Sequence, residues 1–246
     1  MLLNQHKARF EDGKIELIPD IDFKGKKLIT GFHGIGATGY WTIKFLVQQL
    51  KPERIAFIDT DATAPISSTS GGKVVTPYEL YQKDDLVFMK AEVVPSRGLE
   101  TKFFRELCSL IMSKKFSEVA LIGGLDSSLR TDPRVTFKYV RTSAFKPKGI
   151  IAEGKFLEDD KIIIGPVALM LNQFEIRNFP AFAILPYASV ERIDPRAAAE
   201  AARVLASYFK FDIKIESLIK GAEVIESEMA ALETKVKGTT RESIYT

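Results

Sequence analysis

Cysteine is nearly absent from these 246 residues: Cys108 stands alone, so no intrachain disulfide is available to staple the fold. It sits among Phe103, Phe104, Leu107 and Ile111 at helical spacing, which reads as a buried thiol in a reducing compartment rather than a nucleophile. Histidine is equally scarce, and His6 and His33 have no spacing suited to a metal, while the acids repeat no ligand pattern. No metal or cofactor is therefore expected. There is no basic run either: 35 Lys and Arg against 32 Asp and Glu are spread along the chain, so nucleic acid is not an expected partner. No segment is long and apolar enough to span a bilayer, and the first residues carry Lys7, Arg9 and Glu11 without a signal-peptide stretch. A cytoplasmic location without a membrane partner is the expectation. A P-loop is missing, which excludes an ATPase motor of that type, and no serine or cysteine stands in a nucleophile turn.

What is present is an ordinary globular composition, 46% apolar and 27% charged, enough for one substantial core. Lys27–Phe32 is an apolar run ending in glycines, and Tyr40–Leu50 follows with helical spacing up to Pro52. Arg54–Asp59 and Asp85–Val94 read as further strands, Gly98–Lys115 as a helix, and Glu118–Ile122 as a buried strand. Val135–Arg141 alternates like a half-exposed strand, Ile162–Ile164 reads as a short strand, Val167–Ile176 as a helix, and Ala181–Leu185 as sheet again. Asp194 before Pro195 marks a helix start, continued by an alanine-rich run to Phe209. Alternating strands and helices predict an α/β fold, a mostly parallel sheet flanked by helices, over residues 1–214.

From Ile215 the pattern changes. Ile215, Leu218, Ala222, Ile225, Met229, Leu232 and Val236 are spaced by three and four in turn, an apolar seam over residues 215–237 that predicts a heptad helix and a homo-oligomer. Packing of that helix on its own domain is the alternative. The seam mixes residue types without a bias that selects a copy number. Residues 238–246 have no periodicity and are expected to form a flexible tail.

Gly34, Gly36 and Gly39 satisfy the G-x-G-x-x-G spacing between a strand and a helix, with Asp59 about twenty residues on, as in a dinucleotide site. Against this, the turn already begins at Gly31, and Tyr40 and Trp41 crowd the helix start. No second mononucleotide half follows. Gly31, Gly34, Gly36 and Gly39 are accordingly read as a structural strand-to-helix turn. A nucleotide- or nucleoside-handling enzyme using the Gly34–Gly39 loop, with Asp59 and Asp61 near His33, is the alternative.

The run Gly31-Phe32-His33-Gly34-Ile35-Gly36-Ala37-Thr38-Gly39 resembles the opening signature of the proteasome assembly chaperone family, with His33 where that signature has proline. The resemblance continues through Asp59-Thr60, Lys83-Asp84-Asp85-Leu86, Leu121-Ile122-Gly123-Gly124-Leu125, Gly165-Pro166-Val167-Ala168-Leu169, Phe179-Pro180-Ala181-Phe182-Ala183 and Asp194-Pro195-Arg196-Ala197-Ala198-Ala199. It covers residues 15 to about 215. It implies a nucleoside-phosphorylase-like fold without established enzymatic activity.

Ile244-Tyr245-Thr246, a hydrophobic residue, a tyrosine and any residue, is similar to the ending of proteasome activators and of archaeal members of that family. The resemblance implies an ATP-independent binding protein whose tails dock on the α-subunits of the core proteasome, as an assembly chaperone or a gate-opening activator. Ile244 would fill an apolar slot, Tyr245 would pack on its wall, and a terminal carboxylate would pair with a lysine. So small a contact binds weakly alone, and an oligomer would gather several copies. A scaffold for another ring-shaped partner is a third reading.

Overall fold

Runs without a polar face become strands covered on both sides. Leu28–Gly31 and Val119–Ile122 are buried at every position, as central parallel strands between two helical layers must be. The computed structural model describes residues 14–216 and Ile219. In chain order these form β1 (Ile15–Ile18), β2 (Lys27–Gly31), α1 (Thr38–Leu50), β3 (Glu53–Thr60), β4 (Ser68–Ser70), β5 (Lys73–Val75), β6 (Tyr78–Lys83) and β7 (Leu86–Ala91). There follow α2 (Glu100–Ser113), β8 (Glu118–Ile122), β9 (Leu125–Asp126), β10 (Phe137–Arg141), α3 (Gly149–Glu153), β11 (Lys155–Phe156), α4 (Gly165–Ile176), β12 (Ala181–Ala188) and α5 (Pro195–Phe209).

One large sheet runs in the order β1-β3-β6-β7-β2-β8-β12-β10-β11, with β9 beside the end of β12 and β4-β5 forming a separate hairpin. Its centre is parallel: β7, β2, β8 and β12 point the same way. Its flank is not. β1, β3 and β6 pair antiparallel in succession up to β7, and β10 opposes β12. The expected mostly parallel sheet is thus a parallel centre in a mixed sheet. Lys83 pairs with Leu86 across Asp84-Asp85, and so tight a turn can join only antiparallel strands, whereas a parallel pair needs a crossover.

Helices cover both faces. α2 and α4 bury Phe103, Phe104, Leu107, Met170 and Phe174 against Leu28, Val119 and Leu121. On the other face α1 and α5 bury Ile43, Leu46, Ala198, Ala202 and Leu205 against Ile29, Phe88, Ala120, Ile122 and Phe182. The alanines let α5 approach closely enough for the buried Thr42 hydroxyl of α1 to reach the Ala198 carbonyl at 3.3 Å. Asp194 caps α5, its carboxylate accepting from the Arg196 and Ala197 N–H groups, both at 3.1 Å.

Ile162–Ile164 is not a strand. The run has the β-branched composition of one, but it crosses beyond the sheet with no strand beside it, and Ile162 and Ile164 are 87% and 80% exposed. Strand propensity counts only where a partner supplies the ladder. Of the seam, Ile215 packs with Ile219 on the α1 and α5 side of the core. Leu218, Ala222, Ile225, Met229, Leu232 and Val236, and the tail residues Ile244, Tyr245 and Thr246, lie outside the described residues.

Candidate functional site

The chain leaving β2 enters α1 on one face of the sheet, while the chain leaving β8 passes through β9, β10, α3 and β11 before α4, on the other face, leads into β12. Adjacent connections diverge between β2 and β8, the position where open α/β sheets place their ligands. The glycine turn occupies it. Gly31 and Gly39 touch backbone to backbone, and a Cβ on Gly39 would stand 2.5 Å from the Ile122 carbonyl oxygen and 2.6 Å from the Phe32 nitrogen. Gly36 has φ +61°, and its Cβ would meet Ala188 at 2.9 Å and Asp194 at 3.0 Å. The bare faces of these three glycines are turned against other protein atoms. Gly34 alone of the four has open space around it.

N–H groups on the helix side of the turn are engaged as well. Ala37 donates to the Gly34 carbonyl at 2.8 Å and Tyr40 to that of Phe32 at 3.2 Å. The Asp194 N–H donates to the Gly36 carbonyl at 2.9 Å, tying the turn to the start of α5. A pyrophosphate would need these faces free. Asp59 is not brought to the turn either. It lies on β3, which β7 and β6 separate from β2, a gap of about 14 Å at ordinary strand spacing; in β3 it pairs with Glu16. Asp61 follows the end of β3, on the same side.

Beside the turn, an apolar crevice of about 320 Å³ opens between the ends of β2 and β8, lined by Ile35, Leu125, Ile163 and Val167 with His33 and Lys161 as its polar side chains. His33 stacks on Tyr40 with ring centroids 4.2 Å apart. Desolvation lowers its pKa below the ordinary 6.5, against the pull of the Glu92 carboxylate and aided by the Lys44 charge. The imidazole is therefore mainly neutral at pH 7.

From Tyr40 a polar chain runs across α1, β7, β6 and β3. The Tyr40 hydroxyl donates to Glu92 at 2.9 Å, and Glu92 pairs with Lys90 at 2.8 Å. Lys90 also reaches Glu79 at 3.3 Å. The Glu79 carboxylate, with a side chain fully shielded from solvent, accepts from Arg54 at 2.7 Å, from the Thr76 N–H at 3.2 Å and from the Tyr81 hydroxyl. Burial alone would raise the Glu79 pKa. The Tyr81 and Thr76 hydrogen bonds, the Lys90 charge and the Arg54 hydrogen bond outweigh it and hold the pKa below 4.5. Sequence reading missed this network; its one signal was Lys90 inside an otherwise apolar strand. Cys108 is buried, its thiol pushed up to about 12 by desolvation. Among the described residues, no three His, Cys, Asp or Glu gather to hold a metal, and no helix is long and apolar enough to cross a membrane.

An open mixed α/β sheet, covered on both faces and with its glycine turn packed shut at the point where the connections diverge, is the class of protein these observations define. The model of the PAC2 family matches residues 28–233, and the chain belongs to that family. A curated relative, an uncharacterized protein of Methanocaldococcus jannaschii, is 21% identical over 221 residues, 86% of this chain and 87% of the relative. Among solved structures, Pyrococcus furiosus PbaA, described as an archaeal homolog of proteasome-assembly chaperone, is similar with a TM-score of 0.72 and 20% identity, covering 94% of this chain and 99% of that one. Pyrococcus furiosus PbaB, described as an archaeal proteasome activator, gives 0.67 and 15%, covering 89% and 98%. A PAC2 family protein from Streptomyces avermitilis gives 0.62 and 19%, covering 84% and 95%. At these identities the structural likeness speaks for the fold.

Proposed function

We propose that this protein is an ATP-independent, homo-oligomeric partner of the core proteasome that docks Ile244, Tyr245 and Thr246 between α-subunits, as an assembly chaperone or a gate-opening activator. The observation that carries the reading is PAC2 membership over residues 28–233 together with the Ile-Tyr-Thr ending. Relatives of the same fold described as a proteasome-assembly chaperone homolog and a proteasome activator support it. So does the closed glycine turn, which supplies rigid packing in place of a pyrophosphate cradle. In this reading residues 1–214 are the body, with the kinship to nucleoside phosphorylase folds that the family resemblance implies. Residues 215–237 join copies of the chain, residues 238–246 present the tails, and the setting is the cytoplasm.

Co-sedimentation with proteasome cores tests it. Removal of Ile244–Thr246 is expected to abolish co-sedimentation while native mass spectrometry still shows the oligomer. Undiminished binding by the shortened protein refutes the docking role.

A further inference from the structure

Along the C-terminal half of α1, a cleft of about 550 Å³ lies between the helix, the sheet and the β4-β5 hairpin. Its walls carry Lys44, Arg54, Lys73 and Lys90 and one carboxylate, Glu92. Two of the cations are already matched: Arg54 by the buried Glu79, and Lys90 by Glu79 and Glu92. Lys44 and Lys73 are not, for among the described residues neither forms an ion pair with a carboxylate. The Lys44 ammonium group is 3.4 Å from the Tyr40 hydroxyl and 4.8 Å from the centre of the Trp41 ring. These contacts hold the ammonium at the wall without neutralising it.

The facing wall is the β4-β5 hairpin, where Ser70 pairs with Lys73 and Ser68 with Val75, so the Ser68 and Ser70 side chains share the face that carries Lys73 while Thr69 alternates to the other. Arg54 ties the hairpin to the sheet by donating to the Val74 carbonyl at 3.4 Å while holding Glu79. Two ammonium groups without an ion-paired carboxylate, one on α1 and one beside Ser70 on the hairpin, suit an anion rich in acceptor oxygens, since lysine serves phosphate as a point charge and hydroxyls turn to meet its oxygens. The volume lies within the roughly 300–1,000 Å³ of small-molecule sites, larger than a lone inorganic ion needs. We infer that this cleft binds a phosphorylated small molecule, with Lys44 and Lys73 taking the phosphate charge and the Ser68 and Ser70 hydroxyls its remaining oxygens. The inference is independent of the tail and places an anion site along the C-terminal half of α1, apart from the glycine turn.

Isothermal titration of the full-length protein with pyrophosphate and with ADP tests this. Binding is expected in the unmodified protein, weakened by added salt. It is expected to be at least about tenfold weaker when Lys44→Ala and Lys73→Ala are combined, as loss of charge-assisted contacts requires, and to be retained when both lysines become arginine. Equal thermal unfolding midpoints establish that the variants are folded. Absence of heat with both probes, or equal affinity in the double alanine variant, overturns the inference. So does capture of an oligoglutamate peptide in place of either phosphate, which would assign the cleft to an acidic protein segment.

Discussion

Gly31 and Gly39 face each other across the strand-to-helix turn so closely that a Cβ on Gly31 would stand 2.6 Å from the Gly39 Cα. The contact sets how near α1 lies to β2, and backbone has no rotamer with which to yield. Gly39→Ala is therefore expected to lose about 3 kcal/mol of stability, at the upper end of overpacking costs. Gly34→Ala, with open space around it, is expected to stay within about 0.5 kcal/mol of the parent. Urea unfolding of the two variants checks the contrast, and equal midpoints would remove the packing account of the turn.

Glu79 is a buried carboxylate held by two cations and two hydrogen bonds. Glu79→Ala leaves Lys90, only 8% exposed, beside Arg54 with one acid fewer, and is expected to cost about 3–5 kcal/mol. The pH dependence follows from its lowered pKa. Because the folded value lies below the unfolded 4.5, its contribution is present above that pH and is lost as pH falls through the folded value. Thermal midpoints measured downward from pH 6 are expected to fall less steeply for Glu79→Gln than for the parent.

Cys108 has no route to reactivity in the folded state, because desolvation pushes its thiol up to about 12 and Phe103, Phe104 and Met170 share its core. Alkylation by iodoacetamide at pH 8 is expected to be slow under native conditions and fast in urea. Rapid native labelling would show that this part of the core opens readily.

The proposed joining of copies through residues 215–237 makes a separate prediction. Met229→Asp combined with Leu232→Asp is expected to yield monomers by native mass spectrometry, since charges in an apolar seam are left unpaired on association. The thermal midpoint of the body is expected to stay near that of the parent. An unchanged oligomer would move the interface elsewhere.

Much of the fold was legible because it rests on local rules. Apolar runs without a polar face marked β2, β8 and β12, Asp194-Pro195 marked the start of α5, and the packing of Tyr40 and Trp41 after the glycines argued against a cofactor helix. The short apolar run Ile162–Ile164 misled for the same reason: its composition is local, whereas a strand needs a neighbour. The antiparallel flank and the burial of Glu79 left almost no trace in the pattern of residues.

By itself the sequence determined the four long helices, the central strands, the positions of the glycines and the family to which the chain belongs, because periodicity, capping and turn chemistry act over a few residues. Only the tertiary structure decided that β7 and β6 stand between β2 and Asp59, that Glu79 draws Arg54 and Lys90 together, and that Lys44 and Lys73 line the same cleft. Strand order arises from pairing between distant segments, and the partner of a charge is set by which side chains that order brings face to face.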